Sequence, residues 1–255
     1  KGMEKMTYPD DYINKVLQGD CLELMKQIPD GSVDLILCDL PYGITACKWD
    51  VIIPLEPLWE QYRRVIKDNR AIILTASQPF TSALVMSNLK WFKYEWIWDK
   101  VTGSGFQIAK HLPMKQHENI LVFGKNKIRY YPIMVKMDKP DSYKCYTNSE
   151  TSPLAKNDGV KRFRTHKYPK TIISISNANK KGGFHPTQKP VALFEYLIKT
   201  YTIKNDLVLD NCAGSGTTGV ACKNLKRNFI LIEKEQKYVD IANRRLHNTV
   251  TELFV

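Results

Sequence analysis

Short runs of apolar, largely β-branched residues recur at 33–39, 71–76, 95–99, 119–124, 207–211 and 229–233, each bounded by turn-forming residues. Helix-like stretches alternate with them at 21–28, 57–67, 79–89, 191–200, 217–225 and 236–246. A strand that is apolar at nearly every position has both faces buried, and a helix between successive strands is the connection that parallel pairing needs. The order therefore predicts an α/β fold, a mostly parallel sheet with helices on both faces. Pro57 and Pro79 open two of the helices, where a missing N–H costs nothing. At 255 residues the chain suits one large domain, or one domain that carries an insertion.

The rhythm breaks between 128 and 183, a segment rich in Lys, Tyr, Asn, Ser and Pro with only short apolar pieces such as 171–175. So long an irregular stretch inside a compact domain is usually functional or disordered. It also holds the charge. The formal net charge is +12, and between positions 125 and 181 fourteen basic residues face four acidic ones. A concentrated positive segment predicts a polyanionic partner. Lys161, Arg162, Arg164, Lys167 and Lys170 form the leading cluster for contact with DNA: lysines neutralise phosphates, and arginines also read guanine edges. A solvated basic loop is the plain alternative.

Six cysteines are scattered without a C-x-x-C pair, and the five histidines do not join them at ligand spacing. Reduced thiols and no metal are expected. No run of about 18 apolar residues appears and the N-terminus lacks the apolar core of a signal peptide, so the expectation is a cytosolic protein with no membrane partner.

Residues 206–219 read Asp-Leu-Val-Leu-Asp-Asn-Cys-Ala-Gly-Ser-Gly-Thr-Thr-Gly: strand, tight turn, helix. Gly214, Gly216 and Gly219 let backbone approach a ligand, and the helix start offers free N–H groups. The spacing satisfies the dinucleotide fingerprint, and Glu233, about 20 residues on, ends the next strand where an acid accepts hydrogen bonds from ribose hydroxyls. An ATP-binding P-loop is excluded by the missing Gly-Lys-Ser/Thr ending. Taken alone, the loop fits a turn that binds nothing, a nicotinamide or flavin site, or an S-adenosylmethionine site. Asp210, at the end of the strand, suits a cationic, amino-acid-bearing ligand and favours the third.

A second strand, 33–39, ends in Asp39-Leu40-Pro41-Tyr42-Gly43. An ordinary strand-to-loop exit would use the same residue types. The turn also meets the needs of amino-group methylation. An exocyclic amine of adenine or cytosine is a poor nucleophile, because its lone pair is delocalised into the ring. An Asp39 carboxylate oxygen and a carbonyl held by Pro41 can accept its two N–H bonds and aim the lone pair at a methyl donor. Tyr42 offers an aromatic face to an extruded base.

Together these residues resemble the β group of DNA amino-methyltransferases, in which the catalytic motif precedes the cofactor motif. Asp39-Leu40-Pro41-Tyr42 is similar to that group's Asp-Pro-Pro-Tyr turn, and His185-Pro186-Thr187-Gln188-Lys189-Pro190 to its hallmark hexapeptide. Residues 210–218 resemble its cofactor loop, Gly19-Asp20-Cys21 its adenine-end segment, and Glu233 its ribose-binding acid. Trp98-Asp99-Lys100 and His117-Glu118-Asn119 fit the middle strands. The resemblance spans nearly the whole chain, apart from the first dozen residues and the basic segment.

It implies a Rossmann-like S-adenosylmethionine-dependent methyltransferase sheet of seven strands, one antiparallel near the edge, with circularly permuted motif order. The parts would be a catalytic half (13–127), a target-recognition insertion (128–183) and a cofactor-binding half (184–250). Asp39, Pro41 and Tyr42 would be catalytic. Asp20, Cys21, Thr187, Lys189, Asp210, Asn211, Ala213, Gly214, Ser215, Gly216, Thr217 and Glu233 would hold S-adenosylmethionine. The implied activity is adenine-N6 methylation of double-stranded DNA, with cytosine-N4 as its near neighbour, since an acid at position 39 is commoner for adenine. The group also allows a homodimer and a separate restriction endonuclease as partners. This sequence departs from the pattern at Leu40, where the group has proline, and at Asn211-Cys212-Ala213, where it more often has a proline and a bulky apolar residue. A nicotinamide-dependent oxidoreductase would leave the Asp39 turn and the basic segment unexplained; a non-catalytic DNA-binding module is the other competing reading.

Overall fold

The computed structural model describes residues 7–43, 50–144, 161–177 and 188–249. The chain divides into two compact units, one made by Lys1–Tyr131 with Thr171–Val255 and the other by Pro132–Lys170.

In the larger unit the strands are Lys15–Gln18 (β1), Val33–Asp39 (β2), Ile66–Ala76 (β3), Phe92–Ser104 (β4), Lys115–Phe123 (β5), Ile172–Ser174 (β8), Leu207–Asp210 (β9) and Asn228–Glu233 (β10). The helices are Cys21–Met25 (α1), Leu55–Val65 (α2), Phe80–Ser87 (α3), Val191–Tyr201 (α4), Thr217–Asn224 (α5) and Gln236–Asn248 (α6). The smaller unit contains an antiparallel pair, Val135–Lys144 (β6) with Lys161–Lys167 (β7).

The strands of the larger unit form one sheet in the order β1-β10-β9-β2-β3-β5-β4-β8. Every neighbouring pair is parallel except β3 with β5 and β5 with β4, so β5 alone runs against the rest. Strand periodicity sorts the core. Ile36, Cys38, Ile72, Leu74, Leu209 and Ile232 pack on one face with Met25, Trp59, Tyr62 and Leu84 from α1, α2 and α3. The alternate residues Leu35, Leu37, Ile73, Val208 and Leu231 pack on the other with Phe194, Leu197, Ala221 and Leu246 from α4, α5 and α6. Two buried faces are what near-continuous apolar strands require.

Among the described residues the sheet has eight strands rather than the seven implied. The eighth, β8, comes from the apolar piece at 171–175. Three residues long, it pairs parallel with β4, accepting a bond from Ile97 N at Thr171 O (2.8 Å) and giving one from Ile175 N to Asp99 O (3.1 Å), and it buries Ile173. It satisfies backbone groups that β4 would otherwise expose as an open edge. A second difference lies at 66–67, expected to close a helix. There the backbone turns extended at Ile66 and starts β3. Among the described residues no helix is long and apolar enough to cross a membrane.

Candidate active site

β2 and β9 lie side by side and parallel, with Leu35 opposite Val208 and Ile36 opposite Leu209. Their carboxyl ends therefore deliver Asp39 and Asp210 to the same end of the sheet. The connections leave in opposite directions from here: β2 continues through α2 to β3, β9 through α5 to β10. Such a divergence opens a crevice above the strand ends, the usual ligand site of an open α/β sheet. A cavity of about 560 Å³ occupies it, and its lining includes Asp39, Pro41 and Tyr42 together with Asp210, Gly214 and Glu233.

Asp39 is held from three sides. Oδ1 lies 2.8 Å from the Tyr42 hydroxyl and accepts the Thr75 hydroxyl, while Oδ2 accepts from Lys189 Nζ at 2.6 Å. A carboxylate offers roughly four acceptor positions, so room for one further donor remains. Lys189 is only 7% exposed and also lies 3.4 Å from Glu118 Oε2; Glu118 in turn pairs through Oε1 with Lys100 at 2.5 Å. Burial works to lower the Lys189 ammonium, but the charges and hydrogen bonds of Asp39 and Glu118 outweigh it and hold it above its ordinary value. The Tyr42 ring stacks on Phe80 at 5.5 Å and 24°, and burial beside Asp39 and Glu118 pushes its hydroxyl well above the usual phenol range.

On the other wall, Asp210 is 2% exposed and accepts from Cys212 N (3.1 Å) and from the Thr218 hydroxyl. Burial raises it to about 6, against those hydrogen bonds. Glu233 Oε2 accepts from Gly214 N (2.7 Å) and Oε1 from Glu235 N (2.9 Å), which ties the third strand end to the glycine turn; burial raises it too. Asn211 accepts the Tyr62 hydroxyl at 2.6 Å. Arg245 from α6 donates to Ser215 O (2.6 Å) and Ser215 Oγ (2.8 Å), clamping the turn from behind.

Most sequence-predicted site residues thus share one cavity, with Asp20, Cys21, Asn211, Ala213, Ser215 and Thr217 also in its lining. Gly216 is not in the lining; it has φ 78° at the N-cap of α5, and a Cβ there would stand 2.8 Å from Ala242 Cβ. Thr187 and His185 lie outside the described residues. Lys189, expected to hold S-adenosylmethionine, lines the cavity and bonds Asp39, while Gln188 meets the glycine turn through Ser215 Oγ at 3.3 Å. Sequence reasoning missed Thr75, Tyr62 and Arg245, and also Ser77 and Lys115, which line the cavity and bond to each other. Thr75 stands at the carboxyl end of β3 and Ser77 directly after it, positions that could have flagged them.

The basic cluster belongs to the smaller unit. Arg162, Arg164, Lys167 and Lys170 are exposed, and Arg164 pairs with Asp141 at 2.9 Å. Lys161 opens β7 opposite Lys144.

Comparison with known proteins gives one consistent answer. Residues 33–244 match the N6_N4_Mtase family, described as DNA methylase. The type II methyltransferase M.BglII of Bacillus subtilis is 32% identical over 92% of this chain and 69% of its own length. M.HinfI of Haemophilus influenzae, another type II methyltransferase, is 29% identical over 93% and 69% respectively. The crystal structure of the M1.HpyAVI–SAM complex superposes with a TM-score of 0.63 at 26% identity, covering 91% of this chain and 98% of that one. The chain belongs to the N6/N4 DNA methylase family.

Proposed function

We propose that the protein is a site-specific DNA methyltransferase that uses S-adenosylmethionine to methylate N6 of an adenine turned out of the double helix. The observation that carries this reading is the shared cavity, whose lining joins the Asp39 turn to the glycine turn. The residues fit the cofactor's parts. Buried Asp210 and the Gly214–Ser215 backbone suit a cationic amino-acid end, and Glu233 keeps lone pairs for a ribose diol after accepting from Gly214 and Glu235. The M1.HpyAVI structure was obtained with SAM bound.

When bound, S-adenosylmethionine supplies an electrophilic methyl carbon on a sulfonium. The chain's residues do the rest. The remaining acceptor position of Asp39 and a carbonyl of the Leu40–Pro41 segment take the two N–H bonds of the base amine, which turns its lone pair out of the ring plane. Tyr42 and Thr75 fix Oδ1 while Lys189 fixes Oδ2, so the carboxylate pays no reorientation cost as charge develops on the amine. Phe80 stacks on the Tyr42 ring and Lys189 Nζ lies over it at 5.7 Å from the centroid, so the ring the base would meet is held in place. Lys161, Arg162, Arg164, Lys167 and Lys170 contact DNA in this reading, with 128–183 as the target-recognition insertion. A separate restriction endonuclease and a homodimer remain the partners the family resemblance allows.

The test is direct. Incubation with labelled S-adenosylmethionine and unmodified DNA, followed by digestion to nucleosides, is expected to place label in N6-methyladenine; label confined to N4-methylcytosine overturns the adenine assignment. Asp39→Ala is expected to lower methyl transfer at least about 100-fold with cofactor affinity retained. Unchanged transfer would remove the mechanism.

A further inference from the structure

We infer that the hairpin joining β4 to β5 is a wedge for double-stranded DNA, with Phe106 entering the base stack where the target base leaves it. The inference rests on the methyltransferase reading above and deepens it, by naming what helps the base out of the duplex. β3 and β4 both pair antiparallel with β5, so β4 ends at the same end of the sheet as β2, β3 and β9. The hairpin therefore rises beside the cavity, and both its feet line it: Lys100 late in β4 and Lys115 at the start of β5. Ser104 stands opposite Lys115 in the ladder and donates its hydroxyl to Lys115 O at 3.0 Å, closing the base of the loop. Beyond it Gly105, at φ 88°, starts a single 3-10 turn over Phe106–Ile108. Ile108 N bonds to Gly105 O at 3.1 Å and Leu112 N to Ile108 O at 3.0 Å, so the tip is held by its own backbone.

What this ordered tip presents to water is apolar. Phe106 is 79% exposed, and Val101, Ile108, Leu112 and Met114 are exposed with it. Apolar side chains gathered on one short loop are unfavourable in water and mark a surface that meets a partner. The charges around them say which partner. No acidic residue occurs between positions 100 and 117, while Lys110 and His111 are exposed in the loop and Lys115 at its foot. An apolar tip with a basic rim suits a nucleic acid duplex, where cations neutralise phosphates and an apolar side chain enters between base steps. Extruding a base costs its stacking and pairing and leaves a gap in the stack. An aromatic ring in that gap regains stacking with the neighbouring bases and hinders the return of the extruded one. Phe106 is thus a positioning residue: it acts on the duplex, while Asp39 and its neighbours act on the amine.

The test uses the full chain and a short duplex carrying the site at which its methylation is mapped. The duplex is made in two forms, one fully paired and one with an abasic position opposite the target base. Phe106→Ala removes an exposed ring, so the variant is expected to keep the parent's urea midpoint and its affinity for S-adenosylmethionine. On the paired duplex its single-turnover methyl transfer is expected to fall about tenfold or more; on the abasic form it should stay near the parent's, because the base there has no partner to leave. Phe106→Trp, which keeps a stacking ring, is expected to retain most of the paired-duplex rate. Unchanged transfer on the paired duplex overturns the wedge, and so does an equal loss on both forms. An equal loss accompanied by a change from dimer to monomer in sedimentation velocity assigns the loop to a second copy of the chain instead. A parent protein that transfers no methyl group to unmodified DNA fails at the proposed function itself, and the inference falls with that reading.

Discussion

Lys189 stands between two carboxylates with almost no access to water, and that geometry decides what its loss does. Lys189→Met leaves Asp39 and Glu118 facing each other without their shared cation, and removing one member of a buried ion pair costs about 3 kcal/mol. A lower urea midpoint is expected. The kinetics discriminate further: a lysine that acts by holding Asp39 lowers kcat and leaves KM for S-adenosylmethionine nearly unchanged, whereas one that bound the cofactor would raise that KM. Adding Glu118→Gln is expected to recover part of the stability but not the turnover. Asp210 gives the pH dependence. Burial lifts it to about 6, so the native state binds this proton more tightly than the unfolded chain does. Its stabilising contribution is complete below about pH 4 and is lost as pH rises through 6. A cationic ligand reverses the preference, because it favours the ionised acid. Titration calorimetry is therefore expected to show S-adenosylmethionine binding tighten about tenfold or more between pH 5 and 7.5. Asp210→Asn should bind more weakly and show little of that dependence; an equally steep profile in the variant would assign it to another group.

The α5 helix shows how an element is seated by what it lacks. Gly219 lies where a Cβ would come 2.7 Å from Leu231 Cδ1 on β10 and 2.9 Å from Leu246 Cδ2 on α6. Alanine gains about 1 kcal/mol of helix propensity, while overpacking a tight core costs about 1–3 kcal/mol. Gly219→Ala is expected to lose about 1 kcal/mol in urea denaturation; a gain would show that the leucine tips yield freely. That glycine was legible from its spacing in the turn, as were β2, β9 and β10, whose apolar runs are bounded by turn residues. β1 and β8 were not. β1 holds only two apolar residues and β8 is three residues long, so neither forms an apolar run with turn residues at both ends, and each is a strand because a neighbour offers an unpaired edge. The Asp39 turn could be read because Asp39, Pro41 and Tyr42 are consecutive or nearly so. The partners of Asp39 could not: Thr75 comes from β3 and Lys189 from the segment before α4, and only the fold brings them together. The hexapeptide marked Lys189 as important, yet its partner is set by the third dimension.

On the function proposed above, the distribution of charge over the molecule separates two binding tasks. The cavity belongs to the larger unit, while the densest basic cluster belongs to Pro132–Lys170. Replacing Arg162, Arg164, Lys167 and Lys170 with glutamine is therefore expected to weaken DNA binding without changing affinity for S-adenosylmethionine. For every phosphate no longer neutralised, the slope of log affinity against log salt should become shallower by about 0.9. The two kinds of residue are expected to differ. Lysine replacements should weaken binding alike on every sequence, because a phosphate is the same everywhere, whereas Arg162 or Arg164 replacements should also relax discrimination at one position if a guanine edge is read. Arg164 carries an internal control, since it pairs with Asp141: Asp141→Asn removes a carboxylate that competes with DNA for the guanidinium and should tighten DNA binding if that arginine touches the duplex. A salt slope that the fourfold variant leaves untouched would mean these charges are simply solvated, and target recognition would then have to be sought elsewhere in the chain.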